Sequence, residues 1–222
     1  MDGDLQTFVQ RVFACSPDTA AAIAARAARR AYAARDIVLR QGDACSETWL
    51  VMTGRAQALV YGAEGQMVLL QDYAEGDLFG AIARLDGEPH EANVVAVETL
   101  KAALFLATDF LNLIETHSAV GLAVSRLLLK QLRAATGRMV EQTTLTVAGR
   151  VYAELLRLAE PAEGGRQVIR PHPVFSALAV RIHSTRETVS REVNKLERRG
   201  IVLRDAASLT IVAPERLRGM IR

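Results

Sequence analysis

The chain has 222 residues, half of them hydrophobic, with 27 Lys/Arg against 25 Asp/Glu and a net charge of +2. That content predicts a globular chain with one large domain or two ordinary ones. No apolar run reaches spanning length, since even Ala119 to Leu132 is interrupted by Arg126 and Lys130. Asp2 and Asp4 at the start argue against a secretory signal. Two cysteines, Cys15 and Cys45, are too few for a disulfide framework or for a four-thiolate iron–sulfur cluster, and fit a reducing cytoplasm. The small net charge hides an asymmetry. From Thr146 onward there are 14 Lys/Arg and 8 Asp/Glu, a net of +6, whereas the remainder has 13 and 17, a net of −4. The basic part is the candidate polyanion binder.

In chain order, Thr19 to Arg35 reads as an Ala-rich helix. From Asp36 to about Ala107 short apolar runs alternate with turns: Ile37 to Leu39, Trp49 to Met52, Ala56 to Tyr61, Met67 to Leu70 and Val94 to Val97, separated at Gly42-Asp43, Gly54, Gly62 to Gly65, Gly76-Asp77 and Asp86-Gly87. This spacing predicts an antiparallel jelly-roll barrel. Asp109 to Glu115 predicts a short helix. Ser118 to Glu141 predicts a long amphipathic one, with Val120, Val124, Leu127, Leu128, Leu132 and Met139 as a seam for a parallel partner helix.

Thr146 predicts an N-cap for a helix from Val147 to Ala159, which Pro161 and Gly164-Gly165 end. A strand at Gln167 to Arg170 and a short helix at Phe175 to Arg181 follow. Ser184 and Glu187 form a Ser-x-x-Glu capping box for the next helix, and Gly200 stops it. Val189, Val193 and Leu196 give that helix one buried stripe. The face left over carries Arg186, Glu187, Ser190 and Arg191 near its N-terminal end, with Lys195, Arg198 and Arg199 further along. Arginine forks suit guanine edges and glutamate accepts from the cytosine amino group, so these residue types suit base reading. Strands at Ile201 to Arg204 and Ser208 to Val212 complete a winged helix-turn-helix order.

Nearly the whole chain resembles the cyclic AMP receptor/fumarate-nitrate regulator family of bacterial transcription regulators. The resemblance rests on Arg186-Glu187-Thr188-Val189-Ser190-Arg191, on Gly149-Arg150-Val151, and on the landmarks Gly42-Asp43, Gly54, Gly65 and Gly76-Asp77-Leu78-Phe79-Gly80. It implies base reading by Arg186, Glu187, Ser190 and Arg191, and backbone contacts from Thr185, Thr188, Lys195, Arg198 and Arg199. It also implies a palindromic site with half-sites like TGTGA or TTGA, and double-stranded DNA, a second copy of the chain and RNA polymerase as partners.

The departures lie in the effector pocket. Where cyclic-nucleotide binders of the family carry Phe-Gly-Glu and Pro-Arg-Ser-Ala, this chain reads Phe79-Gly80-Ala81 and Pro89-His90-Glu91-Ala92, and the purine-contacting pair is Ala135-Thr136. A carboxylate replaces the phosphate-holding serine and an imidazole replaces the arginine, so cyclic AMP is not expected. No cofactor is predicted. Haem, with His90, His117, His172 or His183 as axial ligand, and a redox role for Cys45 remain open.

The expected architecture is α+β: an N-terminal cyclic-nucleotide-binding-like barrel over residues 1–115, a long dimerisation helix over 116–145, and a C-terminal winged helix-turn-helix over 146–222. The expected function is a cytoplasmic, homodimeric DNA-binding regulator controlled by an effector other than cyclic AMP. A constitutive regulator with a ligand-free barrel, or a regulatory module docking a partner protein, are the alternatives. Neither a phosphate-binding Gly-rich loop, a Gly-x-Ser-x-Gly elbow nor a His-Glu-x-x-His motif occurs, so no enzyme and no metal site are expected.

Overall fold

The computed structural model describes residues 2–44, 46–62, 67–80 and 88–221. The chain divides into two compact units, Met1–Ala135 and Thr136–Arg222. Cys45, Gly65, Ala81 and Asp86-Gly87 lie outside the described residues.

The first unit begins with helices α1 (Asp2–Phe13) and α2 (Pro17–Ala24). Ser16 caps α2, its hydroxyl accepting from the Thr19 backbone N–H at 3.2 Å, and Pro17 occupies the first turn, where no N–H is needed. The Ala-rich helix expected from Thr19 to Arg35 stops there, because Ala28–Tyr32 is a strand, β1, paired antiparallel with β8 (Leu100–Leu106) over five residues. Alanine's helix preference amounts to tenths of a kcal/mol per residue. A ladder along β8, whose backbone groups need partners, outweighs it.

Two four-stranded antiparallel sheets follow, in the orders β1-β8-β3-β6 and β2-β7-β4-β5, where β2 is Ile37–Leu39, β3 Glu47–Thr53, β4 Ala56–Tyr61, β5 Met67–Tyr73, β6 Leu78–Phe79 and β7 Asn93–Ala96. They form a jelly-roll of two facing sheets. Side chains alternate along β3 and β8, and both faces are covered. Trp49, Val51, Leu100 and Ala102 point into the core between the sheets, while Leu50, Ala103 and Phe105 point into a second core beneath the helices. Burial on both faces explains why Leu100–Leu106 is almost continuously apolar.

The helical layer over that second core consists of α1, α3 (Ala107–Thr116) and the start of α4 (Ser118–Thr144), contributing Val9, Phe13, Phe110, Leu113 and Val120. Here the seam expected for a partner helix is corrected. Val120 and Val124 are buried in their own unit, and Leu127 and Leu128 pack partly against the same core. Val120 and Val124 thus face their own sandwich rather than a second chain, while Leu127 and Leu128 keep part of their surface uncovered. Leu132 and Met139 remain exposed, as do Leu122 and Leu129. Among the described residues no helix is long and apolar enough to cross a membrane.

The second unit starts with the end of α4 and continues with α5 (Val147–Leu158), capped by Thr146 through the Gly149 N–H at 3.1 Å. The remaining elements are β9 (Glu160–Pro161), β10 (Gln167–Ile169), α6 (Phe175–Arg181), α7 (Arg186–Arg198), β11 (Val202–Arg204), β12 (Leu209–Ile211) and α8 (Pro214–Arg218). The strands form one antiparallel sheet ordered β11-β12-β10-β9. Leu155, Val189, Leu196, Ile201, Ile211 and Leu217 are fully shielded in its core.

Phe105 is fully buried and its ring lies 5.5 Å from that of Phe110. Phe105→Ala is expected to cost about 3–5 kcal/mol in the first unit. Calorimetry should show that unit's transition moving down while the second unit's stays in place.

Candidate nucleic-acid interface and ligand pocket

Helix α7 is amphipathic by construction. Val189, Val193 and Leu196 are entirely buried, which turns the opposite face outward. The helix starts one residue later than the capping box requires. Thr185, in an extended conformation, is the N-cap, and its hydroxyl accepts from the Thr188 N–H at 3.2 Å. Ser184 belongs to the preceding turn, where its backbone N–H donates to the Ala179 carbonyl at 2.9 Å and is not left for the Glu187 carboxylate that a capping box would bring to it. Gly200 ends α7 at φ +63°, with its N–H on the Glu197 carbonyl and that of Ile201 on the Leu196 carbonyl. This double bond pattern needs a left-handed residue, which glycine adopts without strain.

Arg186, Glu187, Ser190 and Arg191 share one shallow surface groove with Asn194, Glu197 and Arg198. Arg186, Glu187, Arg191 and Arg198 are exposed and Ser190 is half-buried. Asn194 and Glu197 were not singled out from the sequence, although they stand four and seven residues after Ser190 and so share its face. Lys195 lies on a different flank, paired with Glu192 at 3.4 Å, and Arg199 borders a second groove with Arg216 and Met220. Thr185 and Thr188 sit at the N-terminal end, their hydroxyls 3.1 Å apart.

Polar ties hold this helix in place. Arg204 on β11 donates to Asn194 at 2.8 Å and pairs with Glu197, fastening the wing to the reader helix. Tyr152 on α5 donates to Glu192 at 2.6 Å, and burial together with that carboxylate pushes its phenol far above the ordinary value. Arg150, from the Gly149-Arg150-Val151 segment, donates to the carbonyls of Ile182 and Leu145 at 3.1 Å each. It thereby joins the turn after α6 to the end of α4. Glu154 is buried between Arg157 and Arg181, so its charge is compensated on both sides. Asp205 shapes the wing turn by accepting from the Ala207 and Ser208 N–H groups at 2.7 Å each.

The first unit contains a cavity of about 260 Å³ between the sandwich and α4, bordered by Gly80, His90, Glu91, Leu127, Leu128 and Gln131 among others. Its aromatic side is ordered: Trp49 stacks on Phe79 at 5.3 Å, Tyr73 lies 5.1 Å from Phe79, and the Trp49 indole donates to the Tyr32 hydroxyl at 3.0 Å. Gly80 is at φ +82°, and a Cβ there would meet the Trp49 ring at 2.9 Å. Helix α4 is strapped over the cavity by Lys130 to the buried Asp77 at 2.7 Å and by the Gln131 side-chain amide to the Leu78 carbonyl at 2.9 Å.

His90 is buried, its backbone bonded to Gly42 and Asp43, whereas Glu91 is exposed at the mouth. Ala135 and Thr136, expected as pocket residues, do not border the cavity; they lie further along α4 than Gln131, on exposed positions. Ala81 lies outside the described residues. Among the described residues of the wall there is no lysine or arginine, and Glu88 and Glu91 are both present. A cyclic phosphate is held best by cationic donors, and the described wall offers it carboxylates instead.

A sandwich carrying a ligand-sized cavity, joined to a winged helix-turn-helix with its reader face outward, defines a DNA-binding regulator. The family model of the cyclic nucleotide-binding domain matches residues 29–117, and that of the Crp-like helix-turn-helix domain matches residues 149–220. The nitrogen fixation regulation protein FixK of Rhizobium meliloti is 31% identical over 190 residues, covering 82% of each chain. The chain belongs to the cyclic AMP receptor/fumarate-nitrate regulator family of transcription regulators. The solved structure of FixK2 from Bradyrhizobium japonicum shares the fold, with a TM-score of 0.75 at 19% identity, over 88% of this chain and 98% of that one. A lysophospholipase, nte1 of Aspergillus terreus, is 25% identical over 100 residues; the match takes in 45% of this chain and only 6% of that enzyme's length.

Burial holds His90 below the ordinary imidazole value, against a smaller opposing pull from Asp43. The unfolded chain takes up this proton near pH 6.5. Unfolding therefore binds a proton, and stability falls as the pH drops through that value until the folded-state imidazole also protonates. His90→Gln is expected to flatten the first unit's unfolding midpoint between pH 7 and the folded-state value, as followed by denaturant titration at several pH values.

Proposed function

We propose that this regulator acts as a homodimer on a palindromic DNA site and is controlled by an effector other than cyclic AMP. The observation that carries the DNA-reading assignment is the shared outward groove of Arg186, Glu187, Ser190 and Arg191. Each arginine can present a bidentate fork to guanine O6 and N7, Glu187 can accept from a cytosine amino group, and the Ser190 hydroxyl suits either kind of edge. Thr185, Thr188, Lys195, Arg198 and Arg199 supply phosphate contacts on the flanks. Half-sites like TGTGA or TTGA, one per subunit, agree with that set of donors and acceptors.

Dimerisation is assigned to the outer stripe of α4. Leu122, Leu129, Leu132 and Met139, with Ser125 and Thr136 between them, recur at alternating steps of three and four residues, and all six are exposed. That is the spacing of a two-stranded seam. Two reader helices then enter successive turns of the major groove, about 34 Å apart. Val124, Leu127 and Gln131 border the cavity from the inner side of the same helix. An occupant that binds one position of α4 better than another shifts the dimer between DNA-binding states. Such a regulator works in the cytoplasm beside RNA polymerase.

Arg191→Ala and Arg186→Ala are each expected to weaken specific binding by about 1–3 kcal/mol and to relax base preference at one position. Lys195→Ala should weaken all sequences alike and reduce the salt slope by about one. Site selection and titration over a range of salt distinguish the two, and an Arg191→Ala protein with unchanged preference would remove the base-reading assignment. For the seam, Leu132→Asp should yield folded monomers by sedimentation with intact far-ultraviolet dichroism. Val124→Asp should instead unfold the first unit; a Leu132→Asp protein that stays dimeric rules this seam out.

A further inference from the structure

Among its described wall residues the cavity under α4 carries two carboxylates, Glu88 and Glu91, and no lysine or arginine. His90 is buried beside the Trp49 ring, with centroids 6.5 Å apart, and its neutral imidazole brings one acceptor nitrogen and one N–H donor but no positive charge. Gln131 uses one amide hydrogen on the Leu78 carbonyl and keeps its carbonyl oxygen as an acceptor beside a second N–H. Glu91 adds a carboxylate at the mouth. Apart from Glu88, the rest of the described wall is apolar or aromatic, with Phe79, Tyr73 and Leu127 among it. An anionic ligand would meet the like charge of the Glu91 carboxylate with no cation among the described wall residues to offset it. A protonated amine brings donors only, and gains charge-assisted bonds and attraction to aromatic faces.

We propose that the cavity takes a small amine: an apolar or aromatic body of no more than about 260 Å³ lodged between Phe79 and α4, with its ammonium head held by Glu91, His90 and Gln131. This rests on the cavity being the effector site. It names a ligand class opposite in charge to the cyclic phosphate for which the family's domain is named.

Trp49 is the only tryptophan in the chain and stacks on the cavity wall, so selective tryptophan excitation reports on occupancy in the full-length protein. Three probes of similar shape separate the charge classes: phenethylamine, 2-phenylethanol and phenylacetate. Phenethylamine is expected to bind at least about tenfold tighter than phenylacetate, equivalent to about 1.4 kcal/mol, with the alcohol between them. Added salt should weaken the amine alone. Glu91→Gln should remove most of the amine's advantage while leaving thermal unfolding and alcohol binding unchanged. Phenylacetate binding as tightly as the amine, no saturable Trp49 response to any probe, or a Glu91→Gln protein that keeps the full preference would each overturn the assignment. Effector control fails separately: if the amine binds in the expected order while DNA affinity stays fixed, the ligand class stands and the switching role does not.

Discussion

The DNA-facing chemistry depends on three side chains that never reach solvent. Val189, Val193 and Leu196 anchor α7 in the core of the second unit, and the geometry of a helix then leaves no choice about which residues project outward. Arg186, Glu187 and Arg191 could not be covered without desolvating charges that lack partners in the core, a cost of several kcal/mol per ion. Apolar burial on one side and the cost of charge burial on the other thus select the same orientation. The caps refine it: Thr185 fixes where the first helical turn begins, and Gly200 fixes where the chain departs toward the wing.

In the first unit, the same fold has been turned to different chemistry. The jelly-roll with a helix across its mouth provides a cavity of small-molecule size in the unit that matches the cyclic nucleotide-binding domain. What sets the cavity's character is the polarity of its wall. Burial lowers the pKa of His90, Glu91 stands exposed, and Phe79 and Tyr73 carry an aromatic stack with Trp49. Scaffold and specificity are separable here, because the sheets are set by two-faced apolar strands such as β8, whereas the cavity is set by a few side chains that those strands merely hold.

Much of this was legible in the residue order. The helices of the second unit were visible because caps, apolar period and stops agree with one another, from Thr146 to Gly200. The strands from Ile37 onward were marked by their turns. Three features were hidden, each for a physical reason. Ala28–Tyr32 has a helix former's composition and becomes a strand only through a partner 72 residues away at the centre of the ladder, Arg30 with Ala102. The apolar residues of α4 form two stripes, and periodicity alone does not say which one its own sandwich covers; Val120 and Val124 turned out to belong to the inner one. The cap at Thr185 rather than Ser184 was decided by a backbone bond from the preceding turn, which no local motif records. In the site, Asn194 and Glu197 carry no base-reading motif of their own, and only helical geometry puts them on the face of Ser190.

Arg204 bridges two elements of the helix-turn-helix domain, holding Asn194 and Glu197 of α7 from the first strand of the wing. With Asp205 tightening the wing's turn, the reader and its wing form a pre-organised tool that has little conformational freedom left to lose when it grips its target. Arg150 ties the same domain together from the other side, joining the turn after α6 to the end of α4, so the second unit is braced at both ends of its helix-turn-helix.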